Sequence, residues 1–104
     1  MAVMITAIIF IFATNAKAEG FDYDTAMKKA EKEINNKDYI KAFNTIKEIG
    51  HNSHIDNNPY GKYLFESATA KLYYNQGDNA MAEKNYRNAI ETAESSSLNI
   101  DTGN

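Results

Sequence analysis

The chain has 104 residues, a formal net charge of −3 and no cysteine. This length allows one domain at most, and the absence of cysteine excludes both a disulfide scaffold and a lipoprotein anchored through cysteine. The acidic balance, with no dense cluster of lysine and arginine, argues against nucleic acid and anionic membrane surfaces as partners.

The amino-terminal segment has the pattern of an export signal. The run from Ala2 to Ala13 is apolar except for Thr6; it is too short to span a bilayer, which takes about 20 residues, and it fits a signal-peptide core of about 7–15 residues. Ala16-Lys17-Ala18 matches the cleavage pattern, so we expect residues 1–18 to be a signal peptide and the mature chain to begin at Glu19. That chain would be periplasmic or secreted, with no stable membrane insertion. No lysine or arginine precedes the apolar run, which disagrees with an export signal. A buried helix and an uncleaved membrane anchor are the alternatives.

The first helix is predicted from Phe21 to Ile34. Asp22 or Asp24 can cap its amino terminus, because a carboxylate accepts hydrogen bonds from the free N–H groups of a first turn. Apolar residues recur at helical spacing and form one face: Tyr23, Met27, Ala30 and Ile34.

A second helix is predicted after an interruption at residues 35–37. Asp38 is its predicted N-cap, and Gly50 stands where a helix terminator belongs. Its apolar face consists of Tyr39, Ala42, Phe43, Ile46 and Ile49. The two antiparallel helices would form an αα-hairpin over residues 22–50, followed by a polar connection over residues 51–58.

A third and a fourth helix are predicted to form a second hairpin over residues 59–94. Asn58 as N-cap and Pro59 at the first helical position begin the third helix, and Gly61 is expected to weaken it slightly. Its apolar residues are spaced by four: Tyr60, Leu64, Ala68 and Leu72.

The turn at Gly77-Asp78 separates the third helix from the fourth. Gly77 can take the left-handed conformation that ends a helix, and Asp78 can cap the next one. The apolar face of the fourth helix consists of Ala82, Tyr86, Ala89, Ile90 and Ala93. Residues 95–104 have no period and are predicted to be a flexible tail.

The two hairpins repeat each other at a constant offset of 40 residues. The equivalent pairs are Ala30 and Ala70, Asp38 and Asp78, and Ala42 and Ala82. The pattern resembles the tetratricopeptide repeat, a helix–turn–helix unit of about 34 residues. The resemblance is closest in the second unit, at Tyr73, Gly77-Asp78, Ala82, Tyr86 and Ala89. The additional residues of the longer period are expected between the hairpins, around residues 51–58.

The resemblance implies an all-α fold in which residues 19–94 form two hairpins, stacked as a short right-handed superhelix. An unrelated four-helix bundle is the alternative. The resemblance also implies a non-catalytic module that binds a protein or peptide on its concave side, along the first helix of each hairpin. A small immunity or inhibitor protein, occupying a single target enzyme or toxin, is the alternative function.

The positions that match the family's binding groove can be named in this sequence. They are Met27, Glu31, Asn35, Leu64, Ser67, Lys71, Tyr74 and Asn75. Met27, Leu64 and Tyr74 would supply apolar contact. Lys71 and Asn75 would hold a carboxylate or a backbone group.

Little in the sequence indicates catalysis or a cofactor. His51, His54 and Asp56 are weak candidates for a metal site, because the string lacks a fourth ligand and a helical framework. The chain has neither a glycine-rich phosphate loop nor a nucleophile elbow. We therefore expect no enzyme, no cofactor and no metal.

One apolar surface is expected to remain uncovered by the chain itself. Repeats of this type bury their apolar faces only by stacking, and roughly three or more are usually needed. The open side of the last hairpin, with Tyr73, Ile90 and Ala93, is therefore expected to need a partner chain. A second copy and a different protein are both candidates, and Leu98 and Ile100 of the tail are a third that would cover little of the surface.

Overall fold

The computed structural model describes residues 20–97 and shows, over that range, an all-α fold of four helices. These are α1 (Tyr23–Asn35), α2 (Tyr39–Asp56), α3 (Pro59–Asn75) and α4 (Asn79–Ser95). Each helix packs against the next, and α1 also contacts α3. The predicted all-α fold of two hairpins is confirmed. The predicted signal peptide and residues 98–104 of the predicted tail lie outside the described residues, whereas Ser95 belongs to α4.

The hairpins repeat at the 40-residue offset in their backbones as well as in their sequences. The hydrogen-bonded pairs are Lys37 N–H to Ile34 O and Asp38 N–H to Glu33 O in the first turn, and Gly77 N–H to Tyr74 O and Asp78 N–H to Tyr73 O in the second. Lys37 and Gly77 both have a left-handed backbone, with φ of 62° and 86°. Glycine adopts this conformation without steric cost, so Gly77 acts as predicted.

The core lies between α1, α2 and α3. Its buried residues are Tyr23, Ala26, Met27, Ala30, Ile34, Ala42, Ile46, Ile49, Leu64, Ala68 and Leu72. The predicted apolar face of α1 is therefore correct. Phe43 is an exception on α2, because the core side of that helix runs through Ala42, Ile46 and Ile49 and leaves the Phe43 ring half-exposed.

Three of the predicted N-caps make the expected hydrogen bonds. The Asp22 side chain accepts a hydrogen bond from the Thr25 N–H, Asn58 from the Gly61 N–H, and Asp78 from the Met81 N–H. Asp38 occupies the N-cap position of α2 without a side-chain cap hydrogen bond. Each cap satisfies donors that a first helical turn otherwise leaves free.

A buried threonine joins the two helices of each hairpin. Thr45 on α2 donates to Glu33 on α1 at 2.7 Å, and Thr92 on α4 donates to Glu66 on α3 at 2.6 Å. A hydroxyl bonded to a carboxylate satisfies a polar group that burial would otherwise penalise.

The predicted end of the second helix at Gly50 is wrong, because α2 continues to Asp56. The helix ends where Asn57 takes a left-handed backbone with φ of 51°. The Asn58 N–H then donates to Ser53 O at 2.9 Å, in the manner of a Schellman motif. The segment expected as a polar connection therefore lengthens α2 instead.

Two glycines inside helices serve close packing. A Cβ added at Gly50 would lie 2.6 Å from Phe65 Cδ1, and one added at Gly61 would lie 2.5 Å from Tyr23 Cε1 and 2.8 Å from Ser53 Cβ. Both glycines thus bring α3 against the first hairpin. At Gly50 the missing side chain leaves room for the Phe65 ring, and α2 continues through this position to Asp56.

Candidate binding surfaces

The side chains predicted to line a binding groove separate into a buried and an exposed group. Met27 and Leu64 are buried in the core, so the expectation that they supply apolar contact to a ligand is wrong. They face the core because they continue the apolar faces of α1 and α3. Ser67 is half-buried on α3.

Four of the predicted positions surround one cavity between α1 and α3. Glu31, Asn35, Lys71 and Asn75 line this space of about 290 Å³ together with Ile34. We call this surface the α1–α3 face. Lys71 and Asn75 follow Glu31 and Asn35 by 40 residues, so the internal repeat places equivalent positions of the two hairpins side by side.

The α1–α3 face is polar and carries one ion pair. Lys71 donates to Glu31 Oε2, and both side chains are partly exposed. An ion pair at such a position contributes only about 0–1 kcal/mol, so a ligand carboxylate can compete for the lysine. Asn75 Nδ2 donates to Lys71 O at 2.9 Å, and a carboxamide has a second N–H and an acceptor oxygen for further hydrogen bonds.

Tyr74 lies on a different surface, at the open side of the second hairpin. We call this the end surface; it is formed by Tyr74, Ala82, Tyr86 and Ile90, with Asn79, Glu83 and Arg87 at its rim. The exposed fractions of Tyr74, Tyr86 and Ile90 are 63%, 39% and 46%. Ile90 was correctly expected on the open side of this hairpin.

The expectation for the other two residues of that open side is wrong. Ala93 is buried, and Tyr73 lines a groove against α2. Ala93 is buried because it follows Ala82 and Ala89 on the face of α4 that packs against α3. Tyr73 lies away from the end surface because it and Tyr74 point to different sides of α3.

An apolar groove between α2 and α3 was not predicted. Its volume is about 400 Å³, and its apolar lining includes Tyr39, Ile40, Phe43, Ile46, Phe65 and Leu72. Ile40 and Phe43 are 80% and 52% exposed, and Lys47 Nζ lies 5.5 Å from the centre of the Phe43 ring. Ile40 falls outside the apolar stripe of α2, and a large apolar residue in that position was the available signal.

The weak metal candidates lie on the carboxyl-terminal part of α2. His51 and His54 are exposed, whereas Asp56 Oδ2 accepts a hydrogen bond from the Tyr23 hydroxyl at 2.8 Å. Within residues 20–97, no group of three or more histidine, aspartate and glutamate side chains could hold a metal ion. Asp56 therefore connects α2 to α1.

Two tyrosine hydroxyls tie α1 to its neighbours. Burial, together with the hydrogen bond to Asp56, raises the pKa of Tyr23 to about 12. Tyr60 on α3 donates to Asp24 on α1, and this hydrogen bond, with burial, raises the pKa of Tyr60 to about 12. Neither hydroxyl lies on the α1–α3 cavity, so both have a structural role.

Comparison with known proteins gives no relative from which a function could be transferred. No family model, no curated protein and no solved structure matches this chain. Of the four helices described, none is long and apolar enough to cross a membrane. The function is therefore inferred from the surfaces of the fold.

Proposed function

We propose that this chain is an exported, non-catalytic protein-binding module, similar to tetratricopeptide-repeat proteins, that holds a protein or peptide segment on the α1–α3 face. The observation that carries the proposal is the cavity formed by Glu31, Asn35, Lys71 and Asn75. These side chains come from two helices and are related by the 40-residue repeat. A repeated hairpin thus presents the same pair of positions twice along one face.

The chemistry of the α1–α3 face favours an extended segment that carries a carboxylate. The carboxamides of Asn35 and Asn75 can each donate to and accept from a peptide backbone. Lys71 can exchange its bond with Glu31 for a ligand carboxylate, because a partly exposed ion pair contributes little and the lysine forms the same charge-assisted hydrogen bond with either acid. Glu31 is the carboxylate that lines the cavity, and it can accept a hydrogen bond from a backbone N–H of the segment.

Export is part of the proposal, and its test is separate. We expect cleavage after Ala18, so mass spectrometry of the protein recovered from the producing cell should find Glu19 as the first residue. Recovery of a chain with Met1 intact in the membrane fraction would show an anchored protein instead. The binding proposal stands in either case, because the α1–α3 face lies outside this segment.

Affinity purification from an envelope extract tests the binding proposal. The tagged protein is compared with the double variant Lys71→Ala/Asn75→Ala and with a control of the same composition, Asn44→Ala/Lys84→Ala, whose residues are exposed on α2 and α4. We expect one partner to be recovered by the wild type and the control, and at least about tenfold less of it by the double variant. Equal recovery by all three proteins would place binding elsewhere.

A further inference from the structure

The first hairpin shows what covers a surface equivalent to the end surface. Ile34, Ala42 and Ile46 lie 40 residues before Tyr74, Ala82 and Tyr86, and all three are buried. They are covered by α3, which packs against α2 and contributes Leu64, Ala68 and Leu72 to the same core cluster. In the second hairpin Tyr74 and Tyr86 are exposed. The surface that the first hairpin covers with a helix is open in the second.

A second copy cannot supply its α1 as this helix. α3 meets the first hairpin with Phe65, Ala68 and Leu72, and the residues of α1 that lie 40 positions earlier are Thr25, Lys28 and Lys32. All three are exposed and polar or charged. Docking them on an apolar surface would set two lysines against Tyr74, Tyr86 and Ile90 in place of apolar side chains, which is unfavourable. The amino-terminal side of the fold is therefore closed to head-to-tail stacking.

A symmetric dimer through two end surfaces is also unfavourable. The exposed parts of Tyr74, Tyr86 and Ile90 amount to roughly 300 Å². Stable interfaces bury roughly 800 Å² on each partner. This area falls short of what a lasting contact between two copies needs, whereas the first hairpin shows that a single helix covers an equivalent surface.

Ile90 limits which side chain a helix packed on the end surface could place against it. Gly50 is its equivalent in the first hairpin, and the ring of Phe65 occupies the space where a Cβ would be, at 2.6 Å from Cδ1. Ile90 fills that space with a branched side chain. A helix on the end surface has no room for an aromatic residue there and needs a small one.

We propose that the end surface is a docking site for one amphipathic helix of another protein, with a small residue opposite Ile90 and apolar residues three and seven positions further on. The rim carries Glu83 and Arg87, which pair with each other at 2.6 Å. Because these charges cancel, binding depends little on salt. The site is separate from the α1–α3 face, so either proposal can fail without the other.

Two peptides that differ at one position test the specificity. Both have the sequence of residues 59–75, stapled on the polar side to hold the helix; one is unchanged and the other contains Phe65→Ala. Fluorescence anisotropy with the protein purified from the producing cell should show about tenfold tighter binding of the Phe65→Ala peptide. The Ile90→Ala protein should bind the unchanged peptide about tenfold better than the wild type does, because space for the ring is restored.

Two further variants locate the site. Tyr86→Glu should abolish binding of the Phe65→Ala peptide, whereas Phe43→Glu, at an exposed aromatic residue of α2, should leave it unchanged; circular dichroism verifies that each variant is folded. Failure of both peptides to bind, loss of binding in Phe43→Glu, or an unchanged preference in Ile90→Ala would each overturn the proposal.

The other occupants of the end surface give distinct results. Light scattering that finds a dimer in the wild type and a monomer in Tyr86→Glu would identify a second copy as the occupant and overturn the proposal. Tighter peptide binding after removal of residues 98–104 would identify that segment as the occupant, with the same consequence. A monomer whose peptide affinity is unchanged by this removal supports the helix of another protein.

Discussion

Replacement of Gly61 by alanine tests how closely α3 packs on the first hairpin. The new Cβ would lie 2.5 Å from Tyr23 Cε1 and 2.8 Å from Ser53 Cβ. The Tyr23 ring is buried, and its hydroxyl is held by Asp56, so it cannot simply turn aside. Overpacking of this kind lowers the free energy of unfolding by about 1–3 kcal/mol. The higher helix propensity of alanine offsets up to about 1 kcal/mol of this loss. We expect a net loss of about 1–2 kcal/mol.

Thermal melts followed by circular dichroism measure this loss. For a domain of this size, 1 kcal/mol corresponds to roughly 4–8 °C in Tm, so Gly61→Ala should lower Tm by about 4–16 °C. The same substitution in a Tyr23→Leu background should cost less, because the ring is gone and only the contact with Ser53 Cβ remains. A Tm that rises in Gly61→Ala, or an equal loss in both backgrounds, would show that α3 does not approach Tyr23 in this way.

Five further substitutions test the Tyr23 hydroxyl, the packing within the hairpins and the helix caps. Because folding raises the pKa of Tyr23 from 10 to about 12, the stability that its neutral hydroxyl contributes is fully present below pH 10 and is lost as the pH rises through 12. Melts between pH 8 and pH 12 should show a smaller loss in Tyr23→Phe than in the wild type. Ala42→Leu and Ala82→Leu should each lower the free energy of unfolding in urea by about 1–3 kcal/mol, because both side chains are buried, and an unchanged midpoint would contradict the hairpin contact. Asp78→Ala should cost about 0.5–2 kcal/mol, because Asp78 caps the Met81 N–H; Asp38→Ala should cost less, since it makes no such bond.

The features that the sequence predicted well are local ones. The helix starts at Asp22, Asn58 and Asp78 and the turn at Gly77 depend on hydrogen bonds and dihedral angles within a few residues. The apolar face of α1 follows from residue spacing alone. The family resemblance also named Glu31, Asn35, Lys71 and Asn75, which line one cavity between α1 and α3.

The wrong predictions concern residues whose conformation depends on distant contacts. From the local sequence Gly50 was predicted to end the second helix. In the structure its missing side chain accommodates Phe65, and the helix is capped at Asn57. Gly61 reads as a weakness, although it allows close contact with Tyr23. Neither contact leaves a signal in the neighbouring sequence.

The candidate site was predicted only in part, because burial of a side chain also depends on distant contacts. The groove positions were chosen by correspondence with a family, which does not distinguish the core side of a helix from its open side. Met27 and Leu64 were therefore included although both are buried. The open groove at Ile40 and Phe43 was missed because Phe43 was assigned to the core.

Site-specific photocrosslinking tests most directly whether the α1–α3 face binds a protein. A photoreactive amino acid is placed at Asn75 on this face or, as the control, at Asn44 on the exposed side of α2. After illumination in the producing cells, position 75 should give one discrete adduct that disappears when Asn35→Ala and Lys71→Ala are added, whereas position 44 should give none. An adduct at position 44 without one at position 75, or an adduct at position 75 that survives both substitutions, would contradict binding on the α1–α3 face.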